Sequence, residues 1–323
     1  MRVLVLGATG CIGGQIARAA HTAGMQVHAM RRRPGAVGAA GDIPIVWHDG
    51  SLEDSECLAE AMRGCDVLFH AAAYAPGTER QIALVVRQGV AQLRGVLAAA
   101  QAAGIKRVIY TSSLATIGPP PAGSNRLADE RDAYLPGSVN SSYYEVKWHM
   151  EHEALRATHA GLPVMILCPT AVFSPGDSKP STSQLLLLLA QSRLPATVDV
   201  QVNFVDGRDV ALAHIQAAAA GQPGQRYIIG GHNLDVREAM ARAAAVIGVR
   251  PPRWHLSRAA MRRLLAVTDA LRLPVTETMR TLLYWQPLNC EKGWQTFGLT
   301  PRPFEETVRD TYTWFKEHGY LKR

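Results

Sequence analysis

Three side chains of this sequence, Ser113, Tyr143 and Lys147, have the types and spacing to pass a proton to or from a substrate oxygen. Tyr143 and Lys147 stand four positions apart in a stretch, Tyr143 to Ala160, that reads as a helix, so both project from one face. An ammonium near a phenol stabilises tyrosinate and lowers its pKa from about 10. Tyr143 then becomes a plausible proton donor or acceptor at neutral pH. Ser113 closes the run Val108-Ile109-Tyr110-Thr111-Ser112-Ser113. At the carboxyl end of a sheet strand, where ligands bind in open α/β folds, its hydroxyl could hold a carbonyl or alcohol oxygen against Tyr143.

A second constellation lies at the start of the chain. Gly7-Ala8-Thr9-Gly10-Cys11-Ile12-Gly13 follows the aliphatic run Val3-Leu4-Val5-Leu6 and leads into an amphipathic stretch from Gly14 to Ala23. Glycines between a strand and a helix permit a tight turn, a close backbone approach to a pyrophosphate and close strand–helix packing. The helix N-terminus adds unpaired N–H groups and the positive end of its dipole. This pattern predicts a dinucleotide-binding loop. Where NAD-binding folds place an Asp or Glu for the adenosine 2′-hydroxyl, the sequence reads His28-Ala29-Met30-Arg31-Arg32-Arg33. Cations without a carboxylate favour the 2′-phosphate of NADP, with Arg31 nearest the strand end and NAD as the alternative.

The elements that must position these residues alternate in the first half of the chain. Strand patterns at Val3–Leu6, Gln26–Met30, Ile43–His48, Val67–His70, Arg107–Thr111 and Val164–Cys168 are separated by helical ones, notably Ile82 to Ala103 with its apolar stripe. The expected fold class is α/β, a Rossmann-type doubly wound parallel sheet with a smaller, mainly helical C-terminal substrate lobe. We place the dinucleotide-binding domain at residues 1–170 and most of the substrate lobe at 171–323. Segments within 200–231 have the option of returning to the main sheet, Tyr227 to Gly230 among them. Helices are expected at Asp209–Ala220, Asp235–Ile247 and Ser257–Leu271.

Composition narrows the partners. The longest aliphatic run, Leu185 to Ala190, is far shorter than the roughly 20 residues of a bilayer span. The apolar stretch after Arg2 is too short for a signal peptide. A cytoplasmic protein without membrane partner is expected. Five cysteines without CxxC or metal-type spacing fit reduced thiols, mostly buried. A net charge of +7 comes with no nucleic-acid motif and is better explained by a site for phosphorylated cofactors or substrates than by nucleic acid. His149, His152 and Glu153 read as an exposed helix face rather than a metal site. Lys179 and Arg208 read as solvated loop cations, and Trp254, Trp285 and Trp294 as packing residues.

Taken together, GATGxIG, TSSxxxxG (Thr111 to Gly118) and YxxxK, in that order, resemble the extended short-chain dehydrogenase/reductase superfamily, of the NAD-dependent epimerase/dehydratase type. Asp129-Glu130 resembles its acidic signature. More narrowly, the chain is similar to hopanoid-associated sugar epimerases and dihydroflavonol reductase-like proteins, through Gly64 to His70, Pro175-Gly176-Asp177-Ser178-Lys179-Pro180, Asp209-Val210-Ala211, Tyr227 to Gly231 and Pro301-Arg302-Pro303. The resemblance implies Ser113, Tyr143 and Lys147 as catalytic residues. It also implies cofactor contacts from Gly7, Thr9, Gly10, Cys11, Ile12, Gly13, Arg31, Ser51, Leu52, Ala71 and Pro169, with no metal. The sequence departs from the family pattern at three places: Ser51 stands for an adenine-contacting Asp, Gly89 and Gln92 fall in the NVxGT segment, and Val146 precedes the lysine. Tyr144 is expected to pack or wall the substrate. The activity implied is hydride transfer at a secondary alcohol or ketone carbon. The alternatives are transient oxidation by a nucleoside-diphosphate-sugar epimerase and an NADP-sensing regulator without turnover. The partner is then a small molecule, and a homodimer built on the Ile82 and Tyr143 helices is implied.

Overall fold

A computed structural model describes residues 1–74, 81–271, 273 and 276–321. The strands run in chain order as β1 (Arg2–Leu6), β2 (Gln26–Arg31), β3 (Val46–Asp49), β4 (Val67–His70), β5 (Arg107–Thr111), β6 (Val164–Pro169), β7 (Ala171–Phe173), β8 (Ala196–Val198), β9 (Gln201–Asp206), β10 (Arg226–Ile229), β11 (His232–Asp235) and β12 (Trp254–Leu256). The helices are α1 (Cys11–Thr22), α2 (Ser55–Met62), α3 (Ile82–Ala102), α4 (Ser142–His159), α5 (Gln184–Ala190), α6 (Gly207–Ala220), α7 (Val236–Ile247), α8 (Arg258–Ala270), α9 (Thr276–Tyr284), α10 (Glu291–Phe297) and α11 (Phe304–Glu317).

Aliphatic runs such as Val3-Leu4-Val5-Leu6 are buried on both faces, which is what a covered parallel sheet demands. The main sheet is a seven-stranded parallel Rossmann sheet in the order β10-β6-β5-β4-β1-β2-β3. One face packs on α2, α3 and α4 through residues such as Leu93, Val96, Val146 and Met150. The other packs on α1 and α6 through Ile16, Ala17, Val210 and Ala213. Strand order reverses between β1 and β4, and in such sheets the crevice outside the strands' carboxyl ends at that point takes the ligand. The segment Arg226–Ile229 does return to this sheet, beside β6.

Residues after β6 otherwise build two small sheets, β11-β9-β7 and β12-β8, around a third core that includes Phe173, Phe204, Met240 and Phe304. Its three-residue strands leave too little sequence for a two-residue period to register, and none was expected there. The third strand of the main sheet begins at Val46 rather than Ile43. Pro44 has no N–H for a ladder, and Ile43 and Ile45 instead pack against the core. One expectation about length needs correction. At 21 residues, α3 is long and apolar enough by composition for a bilayer crossing. Here it lies along α4, with Val85, Leu93 and Val96 buried against the sheet.

Candidate active site

The glycine loop is shaped by backbone contacts that exclude side chains. Gly7 has φ +93°, and a Cβ there would meet the Ala71 carbonyl group within 3 Å. A Cβ on Gly13 would stand 2.2 Å from the Gly7 oxygen, so the first turn of α1 lies directly on the end of β1. Gly10 caps α1 without any side-chain hydrogen bond, and the first turn holds no acidic residue. Its free N–H groups and positive dipole end therefore face the crevice, an arrangement that fits a pyrophosphate. Gly13→Ala must push helix from strand, at a cost of about 1–3 kcal/mol. We expect at least a tenfold weaker dinucleotide affinity, read by quenching of protein fluorescence, and a lower melting temperature; native affinity would refute the close-approach argument.

A cleft of about 600 Å³ opens beside this loop. Gly7, Thr9, Gly10, Cys11, Ile12, Gly13, Arg31, Leu52, Ala71 and Pro169 line it, and Ser113 and Tyr143 stand in the same cleft. Ser51 is not among its walls; its hydroxyl bonds Glu53, which does face the cleft together with Gln92. Arg31 bonds Asp49, its register partner on β3, and stacks over Trp47 with 5.1 Å from guanidinium to ring centroid. Asp49 is thus a carboxylate beside Arg31 that the β2 sequence did not reveal. Arg32 also lines the cleft. Burial drives the Cys11 thiol far above its ordinary pKa, so it serves as a small apolar wall.

Residues 177–179, 181 and 182 form another part of the cleft wall. Gln15 Nε2 ties this segment down by donating to the Pro175 carbonyl at 2.7 Å. Lys179, read from sequence as a solvated cation, lies in the cleft wall, whereas Arg208 is locked between Asp206 and Asp310, each at 2.7 Å. Nothing in the local sequence distinguishes these two cations; the fold of the segment does.

The three proton-handling candidates come from different elements. Ser113 follows β5 and caps a single 3-10 turn, Leu114–Thr116, accepting from the Ala115 N–H at 3.2 Å. Its hydroxyl is 2.9 Å from that of Tyr143, in the first turn of α4. Tyr143 is 43 % exposed because the cleft is open, yet its hydroxyl is surrounded by protein, and this burial pushes its pKa up while Ser113 lowers it. Lys147, one turn on, is buried. Burial pushes it down to about 8. Burial is the larger influence on the phenol, and its lowering partner is the Ser113 hydroxyl.

Beneath Lys147, four residues further along α4, lies a buried carboxylate that the sequence reading missed. Glu151 accepts from Thr116 Oγ1 at 2.7 Å and from the Ser112 hydroxyl, and pairs with Arg226 Nε at 2.7 Å. Arg226 also donates to the carbonyls of Thr116 and Glu130, at 2.9 and 2.8 Å. This knot fastens β10, the 3-10 turn and α4 around the Ser113 strand end. His70, at the end of β4, is buried, and burial with the nearby Lys147 ammonium lowers it to about 3, so it stays neutral.

The acidic pair Asp129-Glu130 is structural: Asp129 binds Arg126 and Arg131, and Glu130 Oε1 accepts from the Ile228 N–H at 2.9 Å. Two departures from the family pattern meet in space, since a Cβ on Gly89 would lie 2.5 Å from Val146 Cγ2. Tyr144 is fully buried, with ring centroids 5.5 Å from Tyr134 and 5.2 Å from Tyr284. Glu153 is not on an exposed face but is buried and paired with Arg94 of α3 at 2.8 Å. Of the three tryptophans, Trp294 packs in the core and Trp254 is 74 % exposed. Trp285 joins Leu114, Ile117, Val202, Tyr284 and Leu288 around a small pocket of about 10 Å³ that Asn203 and Gln286 also line.

A parallel sheet in this order, a glycine loop at its switch point and a Ser–Tyr–Lys set at the neighbouring strand end define a nicotinamide-dependent oxidoreductase fold. Residues 3–230 match the NAD dependent epimerase/dehydratase family, and the chain belongs to that family. It is similar to a putative dihydroflavonol 4-reductase of Synechocystis sp., 31% identical over 98% of this chain and 95% of that one. Sterol demethylase protein B of Methylococcus capsulatus is 27% identical over 99% of this chain and 100% of its own. The crystal structure of a nucleoside-diphosphate-sugar epimerase from Pseudomonas aeruginosa superposes with a TM-score of 0.86 at 26% identity, covering 100% of this chain and 99% of that one. The protein is accordingly an enzyme of the extended short-chain dehydrogenase/reductase superfamily.

Proposed function

We propose that the protein is an NADP-preferring reductase or dehydrogenase acting at a secondary alcohol or ketone carbon. The observation that carries this reading is the 2.9 Å contact between the Ser113 and Tyr143 hydroxyls inside the cleft that the glycine loop opens. The nicotinamide, when bound, supplies or accepts the hydride. Ser113 holds the substrate oxygen, and Tyr143 gives it a proton in reduction or takes one in oxidation. Lys147, cationic below about 8, would hold the ribose of the bound cofactor and stabilise tyrosinate. Gly7, Gly10 and Gly13 admit the pyrophosphate, with Leu52, Ala71 and Pro169 as apolar walls. The paired helices α3 and α4 would carry the dimer.

The whole-chain similarity to the putative dihydroflavonol 4-reductase of Synechocystis sp. supports a ketone or alcohol substrate over a nucleoside diphosphate. Arg31 and Arg32 at the end of β2 support NADP, although Asp49 offsets part of the charge of Arg31. The second reading, an epimerase that oxidises and re-reduces a nucleotide-sugar, draws its support from the whole-chain similarity to the Pseudomonas structure. Screening ketones, aldehydes and nucleotide-sugars with NADPH separates the two: net NADPH consumption with a ketone is expected, whereas nucleotide-sugar turnover without it favours the epimerase. In binding titrations the wild type should prefer NADP to NAD, and Arg31→Ala should reduce that preference about tenfold, as loss of one phosphate-paired cation implies. Equal affinities in the wild type, unchanged in the variant, would remove the argument for NADP.

A further inference from the structure

The second half of the chain carries a surface that the proposed chemistry does not use. Trp254, Leu264, Val267, Leu271 and Leu273 are 74, 44, 55, 64 and 42 % exposed, so five of the large apolar side chains in solvent fall within twenty positions. Leu264, Val267 and Leu271 follow a spacing of three and four, which places them in one stripe along α8 and its C-cap. The buried side of the helix, at Met261 and Thr268, lies on a neighbouring arc, so the stripe faces outward. Contiguous exposed apolar side chains mark interaction surfaces rather than ordinary solvent-facing ones.

The charge around this stripe says what would cover it. Between Val249 and Pro274 the sequence holds six arginines and a single acidic residue, Asp269. Arg250, Arg253, Arg262 and Arg263 are exposed, while Asp269 is already paired with Arg280. An amphipathic helix with arginines beside an exposed Leu- and Val-bearing stripe, preceded in the chain by the exposed Trp254 of β12, is the pattern that lies in the headgroup region of a bilayer, without crossing it. Each arginine near an anionic leaflet adds attraction that salt screens.

We propose that this face, α8 with Trp254 and Leu273, docks the enzyme on the surface of a membrane containing anionic lipid. Peripheral docking departs from the sequence-based expectation of no membrane partner, which rested on the lack of a spanning segment and of a signal peptide. The Arg258 guanidinium on α8 donates to the Leu283 carbonyl at 2.7 Å, and α9 ends at Tyr284 in the wall of the small apolar pocket. Arg280 of α9 in turn donates to the Asn140 carbonyl at 3.1 Å, just ahead of α4 and Tyr143. The docking face is therefore tied through α9 to the segment that leads into Tyr143.

Co-sedimentation of the full chain with vesicles tests the proposal. Vesicles of phosphatidylcholine with about 30% phosphatidylglycerol should pellet the wild type, and pure phosphatidylcholine should pellet much less. The triple variant Leu264→Gln, Val267→Gln, Leu271→Gln should lower the partition coefficient at least about tenfold, as should Arg262→Glu with Arg263→Glu. Circular dichroism and turnover of a water-soluble ketone should match the wild type and certify the fold. Failure of the wild type to pellet with anionic vesicles, or unchanged pelleting of the triple variant, overturns the proposal. So does a dimer in light scattering that the triple variant abolishes while vesicles bind neither protein, because the face would then belong to a second copy of the chain.

Discussion

Replacing Tyr143 with phenylalanine is expected to lower turnover by about 10²- to 10⁴-fold, the range of a lost general acid or base. Phenylalanine keeps the ring, and the ring provides the packing of this residue against Tyr144, at 6.1 Å between centroids. Only the hydroxyl 2.9 Å from Ser113 is removed. The dinucleotide affinity should stay within about twofold of wild type, since the glycine loop and the arginines of β2 are untouched. Steady-state kinetics with the best ketone, paired with a binding titration, make the measurement. Turnover within a factor of a few of wild type would defeat the assignment of the proton to Tyr143. Equal losses in binding and turnover would point instead to a collapsed cleft.

The second large effect is on stability. Glu151→Ala leaves the Arg226 guanidinium and the Ser112 and Thr116 hydroxyls buried without their common acceptor. Stranding one partner of a buried ion pair costs about 3–5 kcal/mol. Equilibrium unfolding in urea should show that loss. Replacing both partners, Glu151→Met with Arg226→Met, should cost less than the single change, because no charge then remains without a partner. A loss below about 1 kcal/mol in the single variant would mean that water reaches the site and that the knot contributes little. Turnover should fall in Glu151→Ala beyond what unfolding explains, since Ser112 immediately precedes Ser113 and its anchor is gone.

These two sites differ in how far they can be read without a fold. Tyr143 and Lys147 are legible because a helix makes positions four apart neighbours whatever surrounds them. The glycine loop is legible for a similar reason: strand, turn and helix are contiguous, and the steric demand at Gly13 comes from Gly7 and Ala8, a few positions away, although that at Gly7 comes from the distant Ala71. The buried role of Glu151 is written in the sequence only as one more acidic residue on a helix. Its partners Ser112, Thr116 and Arg226 lie 39, 35 and 75 positions away, and parallel strand pairing brings them together. The same holds for Arg31, read as a free cation until the β2–β3 register set Asp49 beside it.

What the sequence determined by itself was local: the alternation of strand and helix over the first 170 residues, the phosphate-binding turn, and a serine, a tyrosine and a lysine in the order and spacing of a known superfamily. Periodicity and turn chemistry act between near neighbours, so they survive in a linear string. The tertiary structure decided which charges are spent and which remain. Two loop cations of equal appearance parted there, Arg208 into an ion-pair pocket and Lys179 into the cleft. It also decided that Gly89 and Val146, two separate departures from the family pattern, make one fitted contact, and that the stripe of Leu264, Val267 and Leu271 stays in solvent. Long-range packing sets each of these outcomes, and no local pattern encodes which distant surface a side chain will meet.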